Sequence, residues 1–317
     1  MSNDTTSRLS KNERRTQARE QARIAREAEK KREKRRRLYV QGGVVLGVIA
    51  ILAIVGLVLT QSLKPAGPGP KNMASGAAVF TKDLKVVPSA ALSDPKAERV
   101  APETNRDELP LDVTVYVDYM CPACGNFEAQ NGVMLENYVG SGDANLAVYP
   151  INFLDGQSLG TKYSTRAANA FGCVVEQQPD VAFELHKRLL SPEVQPSEGT
   201  PGLDDKELLK QAEAAGAEPT QELQRCIQER PFGGFFSENY TAASEGIWGL
   251  AEGQRLLQPQ SATELQPEGK PQRLVSTPLV LVNGQQWSEG RDGSLETFML
   301  KIKGEIEQAG AAEVATD

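Results

Sequence analysis

Apolar and polar positions alternate differently in different parts of the chain, and the change of period marks out its elements. From Leu38 to Thr60, 23 consecutive residues carry no charge, and the run Val44–Leu59 is almost wholly apolar. At about 1.5 Å rise per residue a helix of that length reaches roughly 34 Å, enough to cross a hydrocarbon core of about 30 Å. Asp112-Val-Thr-Val-Tyr-Val117 alternates β-branched and aromatic residues, which predicts a strand. Phe127, Met134, Leu135 and Tyr138 follow at helical spacing, and Leu146–Tyr149 is a second short strand. A mostly helical region runs from about Tyr163 to Ala251; within it Asp204 and Glu207 form a capping box ahead of Leu208-Leu209, and Gly216 ends that helix. Val275–Val282 is a third strand, Asn283-Gly284 a hairpin turn returning through Trp287, and Leu295, Phe298, Met299, Ile302 and Ile306 one face of a last helix. The order is strand–helix–strand, helices, then strand–hairpin–helix. That is an α/β pattern.

Charge sharpens the picture at the amino-terminal end. Residues 1–38 hold 14 Lys/Arg against 6 Asp/Glu, leaving 21 basic and 36 acidic residues for the rest of the 317-residue chain. The folded part is therefore acidic, which excludes a nucleic-acid binder recognised by a basic surface. The basic block Lys30–Arg37 directly precedes the charge-free span, so the positive-inside rule keeps residues 1–37 cytoplasmic and sends everything after Thr60 outside the cell membrane. The chain reads as a single-pass membrane protein with an uncleaved anchor at 38–60, because a cleaved signal has a shorter apolar region and a shorter basic start. No Cys closely follows the span to carry a lipid, and Arg35-Arg36-Arg37 reads as topogenic charge rather than a twin-arginine export signal. The tail reads as a solvated helix or disordered arm touching anionic membrane lipid. Gly43 and Gly47 form a GxxxG, although Gly is common in membrane helices in any case.

Residues 61–109 read as a linker and extension. Lys64-Pro-Ala-Gly-Pro-Gly-Pro70 predicts a spacer, and residues 74–108 predict one strand around Ala77–Phe80 and Leu84–Val87. The folded domain is expected over 110–308, with a helical insertion at about 163–256, a polar loop at about 258–272 and a tail at 309–317.

The four cysteines, Cys121, Cys124, Cys173 and Cys226, all lie beyond the span, where an even count in an oxidising space implies disulfides. Cys121-Pro122-Ala123-Cys124 stands at a strand-to-helix junction. There the free N–H groups and the dipole favour a thiolate at Cys121, and Pro122 fits the first turn. Cys124 sits one turn on, placed to attack a mixed disulfide on Cys121. A zinc site needs two more ligands, and only Cys173, Cys226 and the single His186 remain, with no second close pair. No metal and no cofactor is expected, and an inert disulfide across so short a loop would stabilise little. Cys173 and Cys226 each share a helix face with apolar neighbours, Ala170 and Val174 in one case, Leu223 and Ile227 in the other. A structural bridge is the preferred reading, against two buried thiols or a second redox pair. His186 reads as a partly buried or surface side chain rather than a catalyst.

The strand Val113–Asp118, the sequence Asp118-Tyr-Met-Cys-Pro-Ala-Cys-Gly-Asn-Phe127 and the later Thr277-Pro-Leu-Val-Leu-Val-Asn-Gly284 resemble the DsbA-like thiol–disulfide oxidoreductases, most nearly the membrane-anchored extracytoplasmic members of Gram-positive bacteria. The resemblance covers roughly residues 110–308. It implies a thioredoxin fold with an inserted helical domain, Cys121 as attacking and Cys124 as resolving cysteine, and a cis peptide before Pro278, with Thr277 presenting backbone groups to an extended substrate. It implies as partners cysteine-containing secreted proteins and a quinone-linked membrane reoxidase. A Cys173–Cys226 bridge matches a disulfide in the helical domain of some relatives. Two departures stand out: many relatives have His where this chain has Ala123, and the Gln/Pro-rich stretch Gln258–Gln272 is longer than usual. An oxidase introducing disulfides is the expected function. A reductase, an isomerase or an electron supplier to cytochrome maturation would share the same residues, and a non-catalytic thioredoxin-like peptide-binding module is the alternative of a different class.

Overall fold

The computed structural model describes residues 67–101, 104, 111–259, 261 and 263–314, together with 20, 23, 26 and 30–32, and side chains only up to 308. The chain divides into two compact units, 1–65 and 66–317. In the first, the described residues are helical and exposed, with Arg23 paired to Glu20 one turn away. The span 38–60 lies outside the described residues, and among the described residues no helix is long and apolar enough to cross a membrane.

The second unit is built on a six-stranded mixed sheet of β1 (Ala78–Thr81), β2 (Lys85–Val86), β3 (Leu111–Val117), β4 (Ala144–Pro150), β5 (Leu279–Val282) and β6 (Gln285–Trp287), in the order β2-β1-β4-β3-β5-β6. β3 and β4 run parallel, with Val115 opposite Val148; β5 pairs antiparallel to β3, and β1 antiparallel to β4. Helix α1 (Pro122–Ser141) supplies the right length of crossover between the two parallel strands. Helices α2 (Tyr163–Gln177), α3 (Ala182–Leu190), α4 (Asp205–Ala214), α5 (Gln221–Glu229) and α6 (Gly233–Glu245) form the insertion between β4 and β5. The chain closes with the short α7 (Glu289–Asp292) and the long α8 (Leu295–Val314).

Strand alternation sorts the core into two layers. Val113, Val115, Val117, Val280 and Val282 join α1, α8 and the helical insertion, whereas Tyr116, Leu279 and Leu281 pack with Tyr149, Leu256 and Leu274 on the other face. Local signals are met where they act over a few residues. Asp204 accepts from Glu207 N while the Glu207 carboxylate accepts from Asp204 N, completing the capping box. Asn283 and Gly284 both take positive φ in the β5–β6 hairpin.

Several expectations change. The spacer reading fails over Gly67–Pro70, which is packed: Gly69 N donates to Leu92 O, and a Cβ on Gly67 would run into the Pro231 carbonyl. The extension belongs to the domain rather than preceding it, because β1 enters the sheet beside β4 and buries Ala77, Ala78, Val79 and Phe80 to 4% exposure or less. Two strands stand where one was expected. The strand expected from Val275 starts only at Leu279, since Pro278 has no N–H to give a ladder, and the helices of the insertion end at Glu245 rather than near 256.

Candidate functional site

The site forms where β3 hands over to α1. Asp118, fully buried, organises the turn between them. Its Oδ1 accepts from Met120 N and the Ser164 hydroxyl, both at 2.8 Å, and its Oδ2 accepts from Leu154 N at 2.8 Å. Burial raises its pKa to about 7 against those hydrogen bonds. Cys121 N donates to Asp118 O, and Cys121 then occupies the N-cap of α1 with Pro122 in the first turn. Gln195 clamps the same turn from the far side, donating to the carbonyls of Cys121 at 2.9 Å and Tyr119 at 3.3 Å. Gly125 lets it in, for a Cβ there would strike the Gln195 amide oxygen.

The two thiols are free and sharply unequal. Cys121 is 7% exposed and Cys124 1%. The Cys121 pKa falls to about 6, first because the Cys124 thiol donates to it and then, against its own burial, through Thr277 and the backbone N–H groups of Cys124 and Ala123. Burial, reinforced by the neighbouring Cys121, pushes Cys124 well above the ordinary thiol value. One sulfur is therefore a ready nucleophile near neutral pH while the other holds its proton. Across from them the Thr277–Pro278 peptide is cis, and Thr277 O lies 3.4 Å from Cys121 Sγ. Sequence-predicted Cys121, Pro122, Ala123, Cys124, Thr277 and Pro278 thus meet in one place.

Cys173 and Cys226 are brought together elsewhere. They form a disulfide joining α2 to α5, closing a separation of 53 residues. Asn169 holds its flank, donating to Cys226 O and accepting from Phe232 N. His186 is 3% exposed: its Nδ1 is 3.3 Å from the Tyr119 hydroxyl and its Nε2 3.6 Å from Glu128. Cys124, Glu128, His186 and Pro278 line one small internal cavity. Among the described residues no group of three or more His, Cys, Asp or Glu is arranged to hold a metal ion.

Sequence reasoning assigned no role to Asp118, Glu128 or Gln195. The first stands three residues before Cys121, a spacing that a turn argument reaches; Gln195 lies 74 residues away, and no local signal finds it.

This arrangement, a dithiol at the start of a helix beside a cis proline on a mixed sheet, defines a thioredoxin-like domain of α/β class. Residues 107–246 match the family model described as Thioredoxin. Over 143 residues the chain is 31% identical to the serine/threonine-protein kinase PknE of Mycobacterium tuberculosis, a stretch that covers 44% of this chain and 25% of the kinase, so the chain spans only a quarter of that relative. Similar solved structures include the reduced form of the disulfide bond oxidoreductase DsbG from Mycobacterium tuberculosis, at 22% identity and a TM-score of 0.47, covering 67% of this chain and 80% of that one. Another is oxidised BdbD from Bacillus subtilis, at 17% identity and a TM-score of 0.48, covering 77% and 100%.

Proposed function

We propose that this protein is a membrane-tethered thiol–disulfide oxidoreductase acting outside the cytoplasm as an oxidase that introduces disulfides into secreted proteins. The observation that carries the reading is the inequality of the dithiol: Cys121 with a pKa of about 6 at a helix N-terminus, Cys124 buried and protonated, both beside the cis peptide of Pro278.

In the oxidised enzyme a client thiolate attacks Cys121 Sγ. The Cys121–Cys124 bond breaks, the electron pair leaves on Cys124, and that buried sulfur takes up a proton. A second client thiolate then attacks the client sulfur of the mixed disulfide and expels Cys121 as a thiolate. The client loses two electrons and the pair gains them. A sulfur that is stable as a thiolate is a good leaving group and favours the reduced enzyme, which is the direction of an oxidase. Thr277 and Pro278 would hold the client backbone while Cys121 reacts. A quinone-linked membrane partner would return the pair to the disulfide. The charge-free span 38–60 after the Lys30–Arg37 block supports a cell-membrane anchor with residues 1–37 in the cytoplasm.

Titration of the Cys121–Cys124 pair against glutathione tests the direction. A potential well above that of thioredoxin supports the oxidase. One as low as thioredoxin's transfers the reading to a reductase.

A further inference from the structure

Among the residues that sequence reasoning passed over, Gln195 has the most direct hold on the reacting end of α1. It stands in the loop after α3, where its stem is fixed: Val194 N and Gln195 N both donate to Ser191 O, at 3.1 and 2.9 Å. α3 is itself tied to α1 by Lys187, whose Nζ lies 2.8 Å from Glu136, and His186 of α3 faces Tyr119. The Gln195 amide therefore reaches the β3–α1 turn from an element already docked against α1. Gly125 keeps its path open, since a Cβ there would meet both the Gln195 amide oxygen and Leu190 O.

Both N–H donors of the amide go to one turn. Nε2 donates to Cys121 O at 2.9 Å and to Tyr119 O at 3.3 Å. The two carbonyls differ in their need. Cys121 O also accepts from Cys124 N at 3.0 Å and Gly125 N at 3.2 Å, whereas Gln195 is the one donor to Tyr119 O among the described residues, and Tyr119 is fully buried. A buried carbonyl without a partner is costly, so the turn is held to the geometry in which one amide reaches both. Cys121 enters the helix as an extended N-cap, at φ −77° and ψ 115°, with no side chain capping the first turn. Its ψ sets the plane of the carbonyl that Gln195 grips. The same angle sets how the sulfur meets the Ala123 and Cys124 N–H groups.

In the disulfide, the bond to Cys124 holds that sulfur in place. In the reduced pair the sulfur is held only through the backbone and carries charge, on a turn whose carbonyl oxygens are negative. An amide donating to those carbonyls offsets part of their charge and keeps the N–H groups aimed at the sulfur. We propose that Gln195 is a positioning residue for the redox reaction, through which the helical insertion stabilises the reduced pair over the disulfide and raises its reduction potential. The inference rests on the oxidoreductase reading but not on its direction, and applies to an oxidase and a reductase alike.

The test compares full-length wild type with Gln195→Met, which keeps the length of the side chain and loses both donors, and with Gly125→Ala, which crowds the amide from the other side while favouring the helix. Cys124 and Asp118, the titratable groups that interact with the Cys121 sulfur, are kept in all three, and Thr277 and Gln195 approach from other elements without charge. Alkylation of the reduced protein should be half-maximal near pH 6 in wild type. In Gln195→Met it should move up by about one pH unit, the size of one hydrogen bond. At pH 7 that shifts the equilibrium about fivefold toward the disulfide, a fall of roughly 20 mV in glutathione titration. Gly125→Ala should move both readings the same way, and Gln195→Met decides alone should the tighter variant not fold. A residue that merely tied the structure together would stabilise both redox forms equally. A Gln195→Met potential equal to wild type, with the melting temperatures of both forms lowered alike, therefore overturns the proposal, and so does a rise in potential in either variant. A wild type that forms no reversible disulfide with glutathione overturns the oxidoreductase reading itself.

Discussion

The two cysteine pairs of this chain meet opposite fates in one domain. Cys121 and Cys124 are separated by two residues, at the start of a helix where the dipole and the Cys124 and Ala123 N–H groups favour a charged Cys121 sulfur. Cys173 and Cys226 are 53 residues apart, on α2 and α5, among Ala, Val, Leu and Ile, with Asn169 accounting for the nearby backbone groups. The first environment stabilises the charged sulfur and makes the bond between the pair easy to break. The second offers an anion nothing, and a bridge there mainly restricts the unfolded chain. The reactivity of a cysteine is thus a property of its surroundings, and the comparison can be broken at either pair.

Removing the nucleophile has the largest expected effect. Cys121→Ser should lower client oxidation by about 10³-fold or more, because the covalent route is gone, while the chain still folds, without the stability that the Cys121 thiolate adds to the reduced protein. Retained turnover would end the assignment of Cys121. Cys173→Ala should do the reverse. Loss of a bridge of this span should remove about 4 kcal/mol of stability under the chain-entropy relation, a fall of roughly 10 °C in melting temperature. Turnover per folded molecule should hold. Normal stability with abolished activity would make the second pair an electron carrier.

The pairs should also part in their response to pH. A folded pKa of about 6 for Cys121, below the ordinary thiol value of 9.0, means stability that is present in full above pH 9 and is lost as pH falls through 6. The oxidised enzyme has no such thiol. The stability of reduced relative to oxidised protein should therefore drop between pH 9 and pH 6, and alkylation of the reduced protein should be half-maximal near pH 6, at Cys121 only. Asp118 works in the opposite sense: its pKa of about 7 lies above the ordinary carboxylate value of 3.8, so stability falls as pH rises from about 4 to 7. Asp118 is buried in both redox forms, so taking the difference between them removes the part of its contribution that comes from burial and leaves the thiol together with its charge coupling to Asp118. A flat difference curve would show that the Cys121 thiolate is not favoured.

The smallest effect is at Ala123, whose methyl group adds no donor beside the sulfur; its backbone N–H does. Ala123→His should raise the reduction potential by about 30 mV, or roughly 1.4 kcal/mol for a two-electron couple, read by glutathione titration, without moving the Cys173–Cys226 bridge. An unchanged potential would mean that backbone donors already saturate the thiolate.

Much of this was legible from the residues in order. The alternation of Asp112–Val117, the Asn283-Gly284 turn, the capping box at Asp204 and the Cys-Pro-Ala-Cys at a helix start each depend on neighbours within a turn or a strand, and each appears as expected. Their order gave an α/β pattern, and the thioredoxin-like core was what the resemblance implied. The places where expectation failed share a physical cause. Whether Ala77–Phe80 is a free extension or a sheet strand depends on an open edge at β4, some 65 residues further on, and Gly67–Pro70 becomes packed chain only because Pro231 and Phe235 lie beneath it.

By itself, then, the sequence determined the elements, their order and the reactive dithiol, because propensity, capping and a two-residue cysteine spacing are local matters. Only the tertiary structure decided which long-range groups complete the site: Gln195 on the Cys121 carbonyl, His186 against Tyr119 and Thr277 at the sulfur. Those contacts join residues tens of positions apart, and a hydrogen bond made at such separation leaves no periodicity in the chain to announce it.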